Sequence, residues 1–189
     1  MKTRRNNPVS SYVSDVIKAH GSDYVITVKR ASFCFGIFAV HGGVIDLGTD
    51  TLAREIAGNE HSLYIFNAAA SALRVPSTKF DEPDALKLAS EVDTVISLHG
   101  ERNRETEYIM LGGLDEEMKH NAKHYLTRNG YRVLDPREEL AGKEQENICN
   151  RGRTGRGVQI EISRALRKRM YEDTRAREKF VHVIRSVLT

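Results

Sequence analysis

Three short runs, FCFGIFAV (33–40), SLYIF (62–66) and DTVISL (93–98), are almost continuously apolar, and each is followed by polar, turn-forming or helix-forming sequence. A run of this length that is apolar on both faces reads as a strand covered on both sides, as in parallel sheets flanked by crossover helices. The pattern therefore predicts an α/β fold: a single three-layer domain with an open, mostly parallel mixed sheet. DYVITVKR, EYIML (107–111), YRVL and GVQIEI (157–162) supply further strands. Helices are predicted in TLAREIAG with Thr49 or Asp50 as cap, in ALKLASEV after Asp81-Glu82-Pro83, and from Asp115 to Asn129-Gly130. SRALRKRM and TRAREKFVHVIRSVL are predicted as one or two basic helices at the end of the sequence, and SSYVSDVIKAHG reads as a short helix after a basic tail at residues 1–8. Residues 9–189 then form the domain, and 135–156 is a long polar loop of the kind more often functional than idle.

Composition narrows the class. At 189 residues, 40% hydrophobic and 29% charged, the chain has material for a core and is unlike a disordered segment. No apolar run approaches the ~20 residues of a membrane span, and MKTRRNNPVSS lacks the apolar centre of a secretory signal. The expectation is cytoplasmic synthesis, no membrane partner, and lysis as a route outward. Cys34 and Cys149 lie far apart outside any CxxC pair, which argues against a disulfide framework. Residues 143–189 carry 12 Lys and Arg against six Asp and Glu, so the positive charge is concentrated in the C-terminal quarter. That patch attracts anions without specifying nucleic acid, another polyanion or an acidic small substrate.

Two of the apolar strands end in His-Gly, at His41-Gly42 and His99-Gly100. Ligands of open α/β sheets sit at the carboxyl ends of strands, and glycine lets a ligand or backbone approach closely. Asp46 follows His41 by five residues in HGGVID. Two imidazoles and a carboxylate form a common catalytic zinc set with a position left for water. In GVQIEI the alternation puts Val158, Ile160 and Ile162 on one face and Gln159 and Glu161 on the other. Glu161 is then a general base if its face meets the site, or an ordinary edge-strand charge if it meets solvent.

The segments HGGVIDLGTDTLAREIAG, SLYIF, STKFDEP, DTVISLHG and NICNRGRTGRGVQIEISRALR, with their spacing, resemble the phage poly-γ-glutamate hydrolase family over roughly residues 20–170. That resemblance implies a zinc peptidase with a carboxypeptidase-like sheet, one Zn2+ ion, and cleavage of γ-amide bonds in poly-γ-glutamate or a related acidic amide. Carried over by position, it implies His41, Asp46 and His99 as metal ligands and Glu161 as the catalytic carboxylate. Asp46 stands where the family usually has glutamate, and Arg74 and Lys79 stand where histidines are expected, which bears on substrate preference and turnover. Arg151 and Arg153 are candidates for stabilising an oxyanion or gripping substrate carboxylates. Asn147 and Asn150 either bind the amide or tie down the loop. Asp81 either orients a ligand histidine or caps the next helix.

Two other readings compete. A nucleic-acid-binding replication accessory protein would use the basic C-terminal region, including Arg167, Lys168 and Arg169. An enzyme remnant would bind polyglutamate without cutting it. A monomer is expected in each case.

Overall fold

The computed structural model describes residues 23–189. The expected N-terminal tail and first helix lie outside the described residues. β2 (Ser32–Gly43) is the longest strand, and the sheet is assembled around it together with β4 (Thr94–Glu101). β1 (Tyr24–Lys29), β3 (His61–Ala68), β5 (Ile109–Gly112), β6 (Val133–Leu134) and β7 (Val158–Ser163) complete seven strands in the order β1-β3-β2-β4-β7-β5-β6. β3, β2, β4 and β7 run parallel, while β1 and β5 pair antiparallel with β3 and β7. This is the open, mostly parallel mixed sheet that the apolar runs predict.

Helices cover both faces, as buried parallel strands require. Ile37, Ile65, Leu98 and Ile160 face one core with α1 (Thr49–Ala57), α3 (Glu116–Arg128), α4 (Arg164–Glu172) and α5 (Thr174–Arg185). Phe38, Tyr64, Phe66 and Val95 face the other with α2 (Pro83–Glu91) and Phe80. The second layer is apolar over β3 and β2 and turns polar over β4 and β7, where Ser97, His99, Gln159 and Glu161 are buried.

Several boundaries differ from the sequence reading. β2 and β4 continue past their apolar runs, so His41 and His99 lie inside strands rather than after them. Gly48, with φ 91°, begins α1 in place of Thr49 or Asp50; the Thr49 hydroxyl instead donates 2.8 Å to the Asp46 carbonyl. Glu82, one residue beyond Asp81, caps α2 by accepting from the Ala85 N–H at 2.9 Å. The polar stretch 135–156 is pinned by 3-10 turns at Glu138–Leu140 and Ile148–Asn150. Among the described residues no helix is long and apolar enough to cross a membrane.

Candidate metal centre

The pairing of β2 with β3 slips between Ala39 and Gly42, placing an extra residue in β2. Ile37 and Ala39 face the α1 side, and Phe38 and Val40 face the α2 side. Strict alternation would send His41 to the α1 side, opposite His99, which shares its face with Val95 and Ser97. The bulge re-aims it. His41 Nδ1 lies 3.1 Å from His99 Nδ1. Gly43, with φ 70°, ends the strand, and a β-carbon there would meet the Ala68 carbonyl oxygen at 2.2 Å. The chain then folds back so that the Asp46 N–H donates to the His41 carbonyl at 2.8 Å. Asp46 Oδ2 thereby stands 3.5 Å from His41 Nδ1 and 4.0 Å from His99 Nδ1.

These three side chains are 1–3% exposed and form a potential metal-binding group. A tetrahedral ion with donors at about 2.0–2.2 Å spaces them about 3.3–3.6 Å apart. The observed triangle is centred on that range. The outward nitrogens are also committed. His41 Nε2 meets the Val75 carbonyl at 2.6 Å, and because a carbonyl only accepts, Nε2 carries a proton and Nδ1 faces His99 and Asp46. His99 Nε2 meets Ser97 Oγ at 2.7 Å, with Ser77 Oγ at 3.4 Å. Burial, then the neighbouring His41, pulls the His99 pKa down to about 3, so this ring is neutral and able to ligate at ordinary pH. Burial would raise Asp46, but His41, Arg74 and His99 outweigh it and hold the carboxyl well below the usual range. The donor set fits a divalent cation of the zinc type.

Glu161 pairs with His99 across the β4–β7 ladder, and parallel partners stand about 4.8 Å apart with side chains on one face. It is 3% exposed and accepts from Gln159 Nε2 at 3.1 Å; Gln159 in turn accepts from Asn147 Nδ2 at 3.1 Å. The open choice for Glu161 resolves towards the site face. Burial, then the negative charge of Asp46, pushes its pKa up to about 8.

The loop residues are elsewhere. Arg153 Nε and Nη2 hold Asp93 Oδ1 at 2.9 and 2.6 Å, immediately before β4 begins. Asp93 and His99 are six strand residues apart, about 20 Å, so the expected substrate role for Arg153 is corrected: it is bound at the opposite edge of the sheet. Arg151 donates from Nε to the Glu146 carbonyl, and the adjoining Gly152 packs on the Asp93 carbonyl at that same edge. Asn150 accepts from Leu114 N and Gly157 N and donates to the Gly142 and Glu144 carbonyls, which uses both ends of its amide inside the loop. The contacts that Arg151 and Asn150 make here brace the loop. Cys149 is buried, and burial raises its thiol to about 12, so it is no nucleophile.

Arg74, read from sequence only as a departure, donates from Nη1 to Asp46 Oδ1 at 2.8 Å while remaining 39% exposed. Gly100 N–H donates to Asp46 Oδ2 at 3.0 Å. Ser97 was discoverable, since it lies two residues from His99 on one strand face; the Val75 carbonyl carries no side-chain signal. The basic trio proposed for nucleic acid is dispersed: Arg167 is buried, Lys168 faces Glu172 at 3.8 Å, and Arg169 pairs with Glu107 at 2.8 Å.

The sequence model of the poly-gamma-glutamate hydrolase family matches residues 15–183. The chain belongs to that family. A bacteriophage poly-gamma-glutamate hydrolase superposes with a TM-score of 0.85 at 28% identity, covering 90% of each chain. Zinc-free YndL superposes with a TM-score of 0.84 at 32% identity, covering 90% of this chain and 92% of that one. By sequence, Bacillus subtilis YndL is 36% identical over 79% of this chain and 61% of its own length. The SPbeta prophage-derived protein YoqZ of the same organism is 39% identical over 71% of this chain and 51% of its own. The chain thus spans about half to three-fifths of these curated relatives. An N-formylglutamate amidohydrolase from Ralstonia eutropha JMP134 shares the fold at a TM-score of 0.64 and 11% identity. Family membership makes this chain a hydrolase relative, and the buried His-Asp-His group is the feature able to hold a metal.

The raised Glu161 carboxyl has a stability consequence with a definite sign. Its folded pKa of about 8 lies above the ordinary 4.5, so the metal-free folded chain holds a proton that the unfolded chain releases. Below about 6.5 this is offset by His99, whose lowered pKa leaves the extra proton on the unfolded chain, so the metal-free chain should lose stability between about 6.5 and about 8, and Glu161→Gln should remove that fall. Denaturant midpoints measured across this interval check it; identical slopes in both proteins would show that Glu161 is not protonated in the fold.

Proposed function

We propose that this chain is a zinc-dependent amidohydrolase that cleaves γ-glutamyl amide bonds of poly-γ-glutamate or a related acidic amide. The observation that carries the reading is the convergence of His41, Asp46 and His99 within 4.8 Å, in a chain of the poly-gamma-glutamate hydrolase family. These three residues would hold one zinc, whose Lewis acidity polarises the amide carbonyl and draws the pKa of water towards about 7. Glu161, buried beside His99, accepts the proton of the attacking water and returns it to the amide nitrogen as the C–N bond breaks. The shorter side chain of Asp46 is compensated by the fold-back onto His41 and by the Gly100 N–H that fixes Oδ2.

Substrate choice follows from Arg74. In a γ-linked glutamate polymer the carbon bonded to each amide nitrogen also bears a carboxylate. In this reading the Arg74 guanidinium, exposed at the rim and 2.8 Å from Asp46, grips that carboxylate, since its fork matches carboxylate geometry. That assigns to Arg74 the carboxylate-gripping role for which Arg151 and Arg153 are the sequence candidates.

The test is product sizing on poly-γ-glutamate together with metal analysis. The unaltered chain should carry one zinc and shorten the polymer, with activity lost to a chelator. Glu161→Gln should keep the zinc and lose about 10²–10⁴-fold in turnover. Arg74→Met should raise KM more than it lowers kcat. Binding of the polymer without any shortening by the zinc-loaded chain would overturn the hydrolase reading in favour of a polyglutamate binder.

A further inference from the structure

One buried side chain outside the site touches the backbone beside three of its four functional residues. Arg167 lies in the first turn of α4 and is 7% exposed. Its Nη1 donates to the Leu47 carbonyl at 2.7 Å, its Nε to the Ile162 carbonyl at 3.1 Å, and its Nη2 to the Glu101 carbonyl at 3.2 Å. Leu47 follows Asp46, Ile162 follows Glu161, and Glu101 is two residues beyond His99. The three carbonyls come from the β2–α1 loop and from the carboxyl ends of β7 and β4, where β4 has lost β2 as a partner past Ser97. A guanidinium is the side chain with enough fixed donors to serve all three at once.

Gly100 shows how closely this brace fits. A β-carbon at Gly100 would lie 2.5 Å from Cζ and Nη2 of Arg167, so β4 rests directly on the guanidinium. The N–H of the same glycine donates to Asp46 Oδ2. Arg167 therefore supports Asp46 by two routes, through Leu47 and through Gly100.

We propose that Arg167 is a positioning residue, which sets the spacing of the His41–Asp46–His99 donors by tying three backbone segments together beneath them. It touches neither metal nor substrate. The inference rests on the metal reading above. Residues that orient metal ligands from behind typically change metal affinity by 10–100-fold when removed. A role confined to stability would lower the melting temperature and leave the zinc affinity of the folded chain unchanged.

The experiment measures zinc dissociation constants by competition with a chelating indicator, on folded protein well below its melting temperature, with thermal unfolding of the same samples. Arg167→Met, which keeps length and removes the donors, should weaken zinc binding by 10–100-fold, and Arg167→Lys should recover part of the loss. If Arg167→Met does not fold, Gly100→Ala serves instead, because it displaces the guanidinium without removing it and should weaken zinc binding in the same direction. Folded variants with the zinc affinity of the unaltered chain would overturn the proposal and leave the metal reading intact. Failure of the unaltered chain to bind zinc would overturn both.

Discussion

Two imidazoles and a carboxylate buried within 3.1–4.0 Å of one another, almost without solvent, form the constraint around which the rest of this fold is arranged. Burial strips each group of its water, so each must find protein partners or a cation. The partners are all present. The Val75 carbonyl and Ser97 hydroxyl hold the outer nitrogens, and Arg74 and Gly100 hold the two carboxylate oxygens. On the inward side His41 Nδ1, His99 Nδ1 and Asp46 Oδ2 face one another across 3.1–4.0 Å, the arrangement of a potential ligand set.

The scaffold that achieves this is a mostly parallel sheet that presents His41, His99 and Glu161 in the carboxyl halves of β2, β4 and β7. Apolar packing on both faces fixes strand register, and register fixes which side chains can meet. His99 and Glu161 become neighbours because β4 and β7 align them. Arg167 occupies the underside of the same strand ends, where its three carbonyl contacts convert sheet register into the position of Asp46.

Much of this was legible in the sequence. Continuous apolar runs announced the parallel strands, and His-Gly after two of them marked the carboxyl edge. The alternation in GVQIEI put Glu161 on the face opposite Ile160, although only the fold tells which face meets the site. Three things were not legible. The bulge that turns His41 is a matter of hydrogen-bond register and leaves no composition signal. Arg151 and Arg153 are suited to an acidic substrate by charge, but charge in a loop does not reveal which edge of the sheet the loop visits; Asp93 anchors Arg153 at the far one. Arg167 belonged to a basic helix and was read with its neighbours as a surface cation, whereas the helix geometry points it inward and theirs outward.

The most direct test of the central claim is to locate the ion, using crystals grown with zinc and anomalous scattering at the zinc absorption edge. One peak is expected, about 2.0–2.2 Å from His41 Nδ1, His99 Nδ1 and an Asp46 carboxylate oxygen. A peak elsewhere, or an ion reached through the Nε2 atoms, would contradict the claim.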